Sequence, residues 1–550
     1  MEQLNYYQMI LKRIYLFFLL GAVLFTGMPL RGQVQFKDVT EKAGLVEPLK
    51  GMMGHGAAWG DVTGNGYPDL FIGTFSDRRD SIYAERGHPA QAEPDKLFLN
   101  RGDGTFEEVM DSPVRQYGRN SGAAFADFDN DGDLDLVVSH NALNDMKPVN
   151  STGNFLFEND GSGSFTDVTE KSGLDFGVPF TGRNTFVFDY NGDGLLDLLM
   201  QEDWVRDDVS GGHSRLMKNL GDLEFEDATA KARLPHGYRK GLHGIGGFVG
   251  DINGDLWPDL FFAHSCRMFI NNRDGTFHEK VYNMVHPAYR LGVTESRSNN
   301  WTCGADIGDL DNDGDMDMVM GQHFSSLDTA GRRLYVYVNE GNDEDGNPVL
   351  RDITSGAAVV PPSEKTPHIQ LQDMDNDGMV DILASSNNDF VYRNRGIEGG
   401  FPRFDEPSGS GCKGGHGYWP AGPLADFDRD GRLDFIGPEW ETAAHSPLLK
   451  NLTKGAKNYI AVKMELQDGL NRNGIDARVD IFEAGRLGEV EYLIGTRIIT
   501  VSNGYSSGYE AIAYFGLPEN RKIDIRVSMP CDGPVFTASY VKRNQMYIFK

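Results

Sequence analysis

One pattern of apolar and polar positions recurs seven times along this chain. A strand of small residues runs into an Asp-rich loop, and an apolar strand leaves it. The clearest copy reads Ser121-Gly-Ala-Ala-Phe-Ala-Asp127-Phe-Asp129-Asn-Asp131-Gly132-Asp133-Leu-Asp135-Leu-Val-Val. The loops begin at Asp61, Asp127, Asp189, Asp251, Asp309, Asp373 and Asp426, spaced by 66, 62, 62, 58, 64 and 53 residues. A period of about 60 residues fits one four-stranded propeller blade with generous loops. The second half of each unit repeats as well. After the apolar strand comes a segment such as Leu97-Phe-Leu-Asn-Arg-Gly-Asp-Gly-Thr-Phe106, whose Gly-rich step reads as a hairpin turn. A closing strand of the type Phe-x-Asp-Val-Thr follows, with copies starting at Phe36, Phe106, Phe165, Phe225, Phe277, Leu350 and Phe404.

The order of the pieces matters. The first closing strand precedes the first Asp loop, and none follows the seventh. Ring closure explains this: the N-terminal strand completes the last blade and hides sheet edges that would otherwise invite aggregation. An open array of hairpins is the alternative. Beyond the repeats, Tyr459–Met464, Ala477–Phe482 and Lys522–Val527 alternate with period two, as half-buried strands do. The expected fold is therefore all-β: a seven-bladed β-propeller over residues 34–452, closed by its N-terminal strand, with a small β-sandwich-like domain over residues 456–550. The 67 Gly, 33 Phe and 21 Tyr suit many short strands and tight turns.

The loop spacing, Asp-x-Asp-x-Asp-Gly-x-x-Asp, carries candidate chemistry. Carboxylates at positions 1, 3, 5 and 9 converge if the loop turns sharply at position 6, where Gly tolerates positive φ. Oxygen-only ligands in such a loop favour Ca²⁺. A helix–loop–helix calcium hand needs Glu at position 12; here that position is Val138, Met200, Met320, Ala384 or Gly437, so the ion would sit between strands. Full sets occur in loop two (Asp127, Asp129, Asp131, Asp135), loop five (Asp309, Asp311, Asp313, Asp317), loop six (Asp373, Asp375, Asp377, Asp381) and loop seven (Asp426, Asp428, Asp430, Asp434). Loop three has Asp189, Asn191, Asp193 and Asp197. Loops one and four are expected to be weak or empty: loop one keeps only Asp61 and Asp69, and Leu256 replaces the Gly in loop four. About five structural calcium ions are expected. The bland reading is that Asp and Gly only form turns.

Charge supports the metal reading. The net charge is −29, and the seven loops alone hold 26 Asp. Such a chain is not built to bind nucleic acid, whose phosphates demand the opposite sign. Carboxylates crowded without a cation would repel and raise their own pKa values. At the N-terminus, Lys12 and Arg13 precede an apolar run from Ile14 to Phe25, with cleavage expected near Gly32–Gln33. Residues 1–33 read as a secretory signal, an uncleaved anchor being the alternative, and no other segment approaches a membrane span. A secreted protein, extracellular or periplasmic, is expected. The four Cys (Cys266, Cys303, Cys412, Cys531) show no zinc spacing, and their pairing is open.

The seven loops with their Gly-Ala flanks resemble the FG-GAP repeats of integrin α-subunit propellers and the related VCBS repeats, over about residues 34–452. The remainder resembles the ASPIC/UnbV domain through Asn458-Tyr-Ile-Ala-Val462, Asn471-Arg-Asn-Gly-Ile-Asp-Ala-Arg-Val479, Gly504-Tyr-Ser-Ser-Gly508 and Tyr514-Phe-Gly-Leu517. Met529-Pro-Cys-Asp-Gly533 departs in part from that family's usual Trp-Pro-x-Gly turn. Together the two parts look like the cartilage acidic protein family. The resemblance implies calcium in the inter-strand loops and a ligand face on the opposite rim.

At that opposite end, seven units would aim their flanking residues at one central mouth. Before the first strands stand His55, Arg119, Arg183, His243, Trp301, His368, His416 and Trp419; after the second stand His140, Glu202, His264, His323 and Trp440. These side chains could cap strands and fill the channel. They could instead bind a glycan or a peptide, since pockets combine aromatics with a few polar groups, or serve catalysis or a second metal. No nucleophile motif or phosphate loop stands out. The favoured function is an extracellular module binding a glycan or protein ligand; the alternative is a carbohydrate-active enzyme, a polysaccharide lyase or hydrolase, working at the mouth. Arg101-Gly102-Asp103 spells an adhesion tripeptide but sits where the repeat wants a turn, and Asn150, Asn300 and Asn451 match a glycosylation sequon.

Overall fold

The computed structural model describes residues 34–77, 92–141, 153–176, 180, 182–202, 213–237, 242, 244–282, 302–322, 334–357, 359, 366–385, 389–409, 419–440, 445–456, 458–467, 471–517 and 521–550. Seven sheets share one antiparallel plan, exemplified by strands Gly54–Gly60, Asp69–Thr74, Lys96–Asn100 and Phe106–Glu108. The register repeats with the sequence. The last residue of each first strand pairs with the ninth loop residue, as in Gly60↔Asp69, Ala126↔Asp135, Gly308↔Asp317 and Gln372↔Asp381. The closing strand repeats as well, pairing Asn100 with Phe106, Asn159 with Phe165 and Asn394 with Phe404.

The cores lie between sheets rather than inside them. One cluster joins Phe71, Phe98's neighbour Leu97 and Val62 of the first sheet to Phe125, Leu136 and Phe157 of the second. Equivalent clusters join each later sheet to its successor. The circle closes where Trp59, Ile72 and Phe98 of the first sheet pack on Phe427, Ile436 and Leu448 of the last. The N-terminal strand Phe36–Asp38 belongs to that last sheet, paired antiparallel with Leu448–Asn451. Each fully buried Phe or Leu in these seams contributes about 1.5–3 kcal/mol. The first strands of the first two sheets are wholly buried and rich in Gly and Ala because they crowd the axis; a Cβ on Gly60 would stand 2.8 Å from the Phe125 ring.

A second seam is polar. An Asn at or near the end of each third strand donates from Nδ2 to the carbonyl at loop position 2 of the preceding sheet. The pairs are Asn159 to Val62 (2.9 Å), Asn219 to Phe128 (2.8 Å), Asn271 to Tyr190 (3.0 Å), Asn339 to Ile252 (2.9 Å), Asn394 to Leu310 (2.7 Å) and Asn451 to Met374 (2.9 Å). Asn100 completes the circle by reaching Phe427 at 2.9 Å. This corrects the sequon reading of Asn451, which is fully buried; Asn150 and Asn300 lie outside the described residues.

After the ring, two sheets face each other. One contains Ile512–Gly516, Tyr459–Met464 and Gln545–Phe549; the other contains Leu493–Ile498, Arg478–Glu483, Ile523–Ser528 and Val535–Val541. Val462, Ile481, Phe515 and Ile525 form the core between them, a sandwich. Among the described residues no helix is long and apolar enough to cross a membrane. The expected secretory signal, residues 1–33, lies outside them.

Candidate functional site

All seven Asp loops fold alike, because their first and ninth Asp accept backbone N–H groups. In loop six Asp373 accepts from Asp377 (3.0 Å) and Gly378 (2.7 Å), while Asp381 accepts from Met374 (2.9 Å) and Asn394 (2.7 Å). In four loops further carboxylates close on the first. Asp127, Asp129 and Asp131, then Asp309, Asp311 and Asp317, then Asp373, Asp375 and Asp381, and finally Asp426, Asp428 and Asp434 each place oxygens within 4.8 Å of one another. Burial, reinforced by neighbouring carboxylates, pushes Asp127, Asp309 and Asp426 up to about 7 and Asp135 up to about 8. Burial likewise drives Asp317, Asp381 and Asp434 well above the usual carboxylate range.

The donor set suits a hard divalent cation, since only oxygens are present. Asp127 Oδ1, Asp311 Oδ1 and Asp428 Oδ1 are buried and receive no hydrogen bond, as ligand atoms awaiting an ion would be. In loops six and seven a basic side chain at the third strand leans on a clustered carboxylate: Arg393 on Asp375 (2.6 Å) and Lys450 on Asp428. Loops two and five have no such ion pair among the described residues, which makes them the cleanest candidates. Loop three does not converge in this way; its Asp193 pairs instead with Lys218 at 2.9 Å. Asp313, Asp377 and Asp430 at position 5 also stand outside their clusters.

The rim that carries these loops is covered by the C-terminal sandwich. Arg472 donates to Asn130 O (3.0 Å) in loop two, the Asn471 amide to Gly194 O (2.9 Å) in loop three, and the Cys531 amide to Leu256 O (2.8 Å) in loop four. Arg478 donates to Gly314 O (2.9 Å) in loop five, and the Gly516 amide to Asp373 Oδ2 (3.1 Å) in loop six. Glu510 accepts both guanidinium arms of Arg429 in loop seven at 2.6 and 2.9 Å.

From this face Val501–Tyr509 enters the channel and meets all seven sheets. Ser507–Gly508 pairs in parallel with Ala57–Ala58 of the first. Ser506 Oγ donates to Ser121 O (2.6 Å) in the second, and its amide to Asn184 Oδ1 (2.7 Å) in the third. Gly504 exchanges N–H···O bonds with Gly247 in the fourth at 2.9 and 3.0 Å. Asn503 Nδ2 donates to Asp306 (3.1 Å) in the fifth, the Tyr505 amide to His368 Nδ1 (3.2 Å) beside the sixth, and the Gly422 amide of the seventh to Ser507 Oγ (3.3 Å). Gly504 has φ +88° and lies so close to His368 that a Cβ would stand 2.5 Å from Nδ1, so a side chain there would collide.

The expected mouth residues therefore meet the protein's own chain. The Tyr505 hydroxyl lies 3.2 Å from His55 Nε2 and accepts from Arg183 at 3.4 Å. His55 stacks on Phe75 (4.3 Å between centroids), and Trp440 meets Phe75 edge-on at 4.9 Å. Arg119 covers the same ring at 5.3 Å and pairs with Asp77 at 2.8 Å. His368 is fully buried, and that burial pushes its imidazole down to about 3, which keeps Nδ1 an acceptor. Trp419 departs from the expected position: it packs with Phe435, Leu424 and Leu449 in the core between the sixth and seventh sheets, and its indole donates to Glu439 at 3.0 Å. His243, Trp301, His323 and His416 lie outside the described residues.

A family model described as an FG-GAP-like repeat matches residues 61–138, 145–200, 251–320 and 373–437. These four stretches are FG-GAP-like repeats. Cartilage acidic protein 1 of Xenopus tropicalis is 25% identical over 441 residues, 76% of this chain and 62% of that protein. The Homo sapiens protein is 26% identical over 320 residues, 56% of this chain and 44% of that protein. The chain thus spans about half the length of the curated relatives it matches. Among solved structures, an Agrocybe aegerita lectin that recognises non-reducing terminal N-acetylglucosamine is 15% identical, with a TM-score of 0.39 over 72% of this chain and 94% of that one. A Bacillus licheniformis rhamnogalacturonan lyase is 11% identical, with a TM-score of 0.35 over 85% and 74%.

In this FG-GAP propeller, Arg101–Asp103 forms the turn the repeat requires: Asp103 accepts from the Thr105 amide (3.0 Å) and Arg101 pairs with Glu107 (2.7 Å). Cys266 and Cys531 are free thiols, and Cys412 lies outside the described residues. Sequence reasoning missed the Asn clamps and the channel segment. The clamps left a signal, an Asn recurring in every copy at or near the end of the third strand.

Proposed function

We propose that this is an exported, calcium-loaded binding module that captures a glycan or protein ligand on the rim opposite its acidic loops. The observation that carries this reading is the grouping of Trp440, Phe75, His55 and Arg119 at the far end of a channel whose near end is occupied by the sandwich. Trp440 is half-buried above the buried Phe75 and His55, and an indole held this way beside a guanidinium suits a sugar ring or a peptide side chain, by stacking and by charge-assisted hydrogen bonds. Calcium is the ion favoured for the loops, because flexible all-carboxylate turns accept its larger and more variable coordination shell. When bound it would neutralise the converging carboxylates, with Asp127, Asp129 and Asp131 or Asp309, Asp311 and Asp317 as its holders.

The test is a glycan array and a peptide display run with the intact chain and with Trp440→Ala. Binding that falls at least tenfold without a change in melting temperature supports the reading; retained binding sinks it. The same glycans assayed for cleavage separate a carbohydrate-active enzyme from a binder, because turnover at the mouth would replace the adhesive reading.

A further inference from the structure

The sandwich that carries the channel segment is held on the ring through atoms of the acidic loops. The sandwich holds the ring by Asn130 O, Gly194 O, Leu256 O and Gly314 O, all main-chain oxygens within loops, and by the Asp373 carboxylate. Arg497 adds a charge. It is 5% exposed, stands 5.0 Å over Phe515, and donates to Thr496 O at 2.8 Å, while Nε and Nη2 make no hydrogen bond. Its guanidinium lies between loops five and six, within electrostatic reach of Asp373, Asp309 and Asp381. A buried cation is tolerated only where opposite charge is held nearby in fixed geometry.

We propose that the acidic loops, when loaded with divalent ions, seat the C-terminal sandwich, and that Val501–Tyr509 plugs the channel only while they are loaded. The proposal rests on the calcium reading above. Converging carboxylates without an ion repel one another. Loops two and five, on opening, move their main-chain oxygens out of register with Arg472 and Arg478. Opening also dissolves the anionic pocket around Arg497. The plug is buried throughout, but apart from Val501 and Tyr505 its contacts with the sheets run through short polar side chains and main chain, Ser502, Asn503, Gly504, Ser506 and Ser507, which water can satisfy once the segment is out. Release would withdraw Tyr505 from His55 and Arg183 at the far rim. Metal state and ligand face would then be coupled through the axis of the ring, as two sites biasing one two-state element.

The experiment is hydrogen exchange on the intact chain, with bound calcium counted by elemental analysis, before and after chelation. The expected result is a rise of at least tenfold in exchange of the 501–509 amides, while the second strands Asp135–His140 and Asp197–Glu202 stay protected. Exchange of the plug that stays slow, or that rises only in step with those strands, overturns the proposal. A chain that binds no divalent ion sinks the calcium reading and the proposal together; one that binds ions but keeps its plug sinks the proposal alone. A second arm leaves the ligands in place. Arg472→Ala combined with Arg478→Ala should speed plug exchange several-fold at unchanged calcium content, and an unchanged plug in that variant also counts against seating through the loops.

Discussion

Loop six and loop one have the same backbone and different chemistry. In loop one Asp61 accepts from the Asn65 and Gly66 amides at 3.0 and 2.8 Å, and Asp69 accepts from Val62 and Asn100 at 2.9 and 2.7 Å. Loop six repeats every one of these bonds through Asp373 and Asp381. Two carboxylates are therefore enough to make the turn. The third, Asp375, is surplus to it and closes on the other two, whereas loop one has Thr63 at that position. Turn formation explains positions 1 and 9 but not position 3, where Arg393 at 2.6 Å supplies one part of the countercharge. An extra buried carboxylate is unfavourable in a turn that does not need it, unless a cation shares the site.

The largest way to break this comparison is to remove the cation. A ligand present at 100 times its Kd stabilises the folded state by about 2.7 kcal/mol per site, so four filled loops would supply about 10 kcal/mol. Chelation should lower the melting temperature by many degrees, and calcium should restore it; identical melts would reduce the surplus Asp to decoration. The next effect is on pH dependence. In the metal-free chain Asp127, Asp309 and Asp426 stand near 7 and Asp135 near 8, above the ordinary 3.8. Folded pKa values raised in this way mean that the folded state binds more protons than the unfolded one between about pH 4 and about pH 8. Stability is then fully present below about pH 4 and is lost as pH rises through that window. The chelated protein should melt at a lower temperature at about pH 8 than at about pH 5, and the gain from added calcium should widen over the same range. A chelated melt that rises with pH would contradict the crowding.

A smaller effect separates the metal loops from the polar seam that joins sheets. Asn219→Ala removes the donor to Phe128 O and strands a buried carbonyl, at a cost of about 1–3 kcal/mol. The loss should be the same with and without calcium; a loss seen only in calcium would make the clamp part of the metal site. The repeat's register and its closure by Phe36–Asp38 were legible in the chain, because spacing and pattern are local. The clamps were half legible: Asn100, Asn159 and their equivalents recur visibly, but an Asn before a Gly-rich turn reads as a turn residue until the neighbouring sheet is in place. The plug was not legible. Gly504-Tyr-Ser-Ser-Gly508 has no alternation, and its partners are main-chain groups that face one axis only after the ring has closed. His55, Arg183 and His368 did point inward, but the sequence had no way to name Tyr505 as what they meet.

The smallest effect is also the sharpest, because it builds loop six into loop one. Positions 1, 3 and 9 are the set that converges in loops five, six and seven. Thr63→Asp supplies position 3 beside Asp61 and Asp69, which the shared backbone already holds. Burial raises the Asp61 carboxyl above its ordinary value, so the new carboxylate enters a place where a charged form is already disfavoured. With calcium at about ten times its Kd the variant should gain one bound ion and about 1.4 kcal/mol. Under chelation the sign should reverse, since the third carboxylate then adds only repulsion. Elemental analysis and paired melts read both halves. A variant that is destabilised equally in both conditions would mean that the four converging loops owe their geometry to something beyond carboxylate number, with the leaning Arg393 and Lys450 as the first residues to remove.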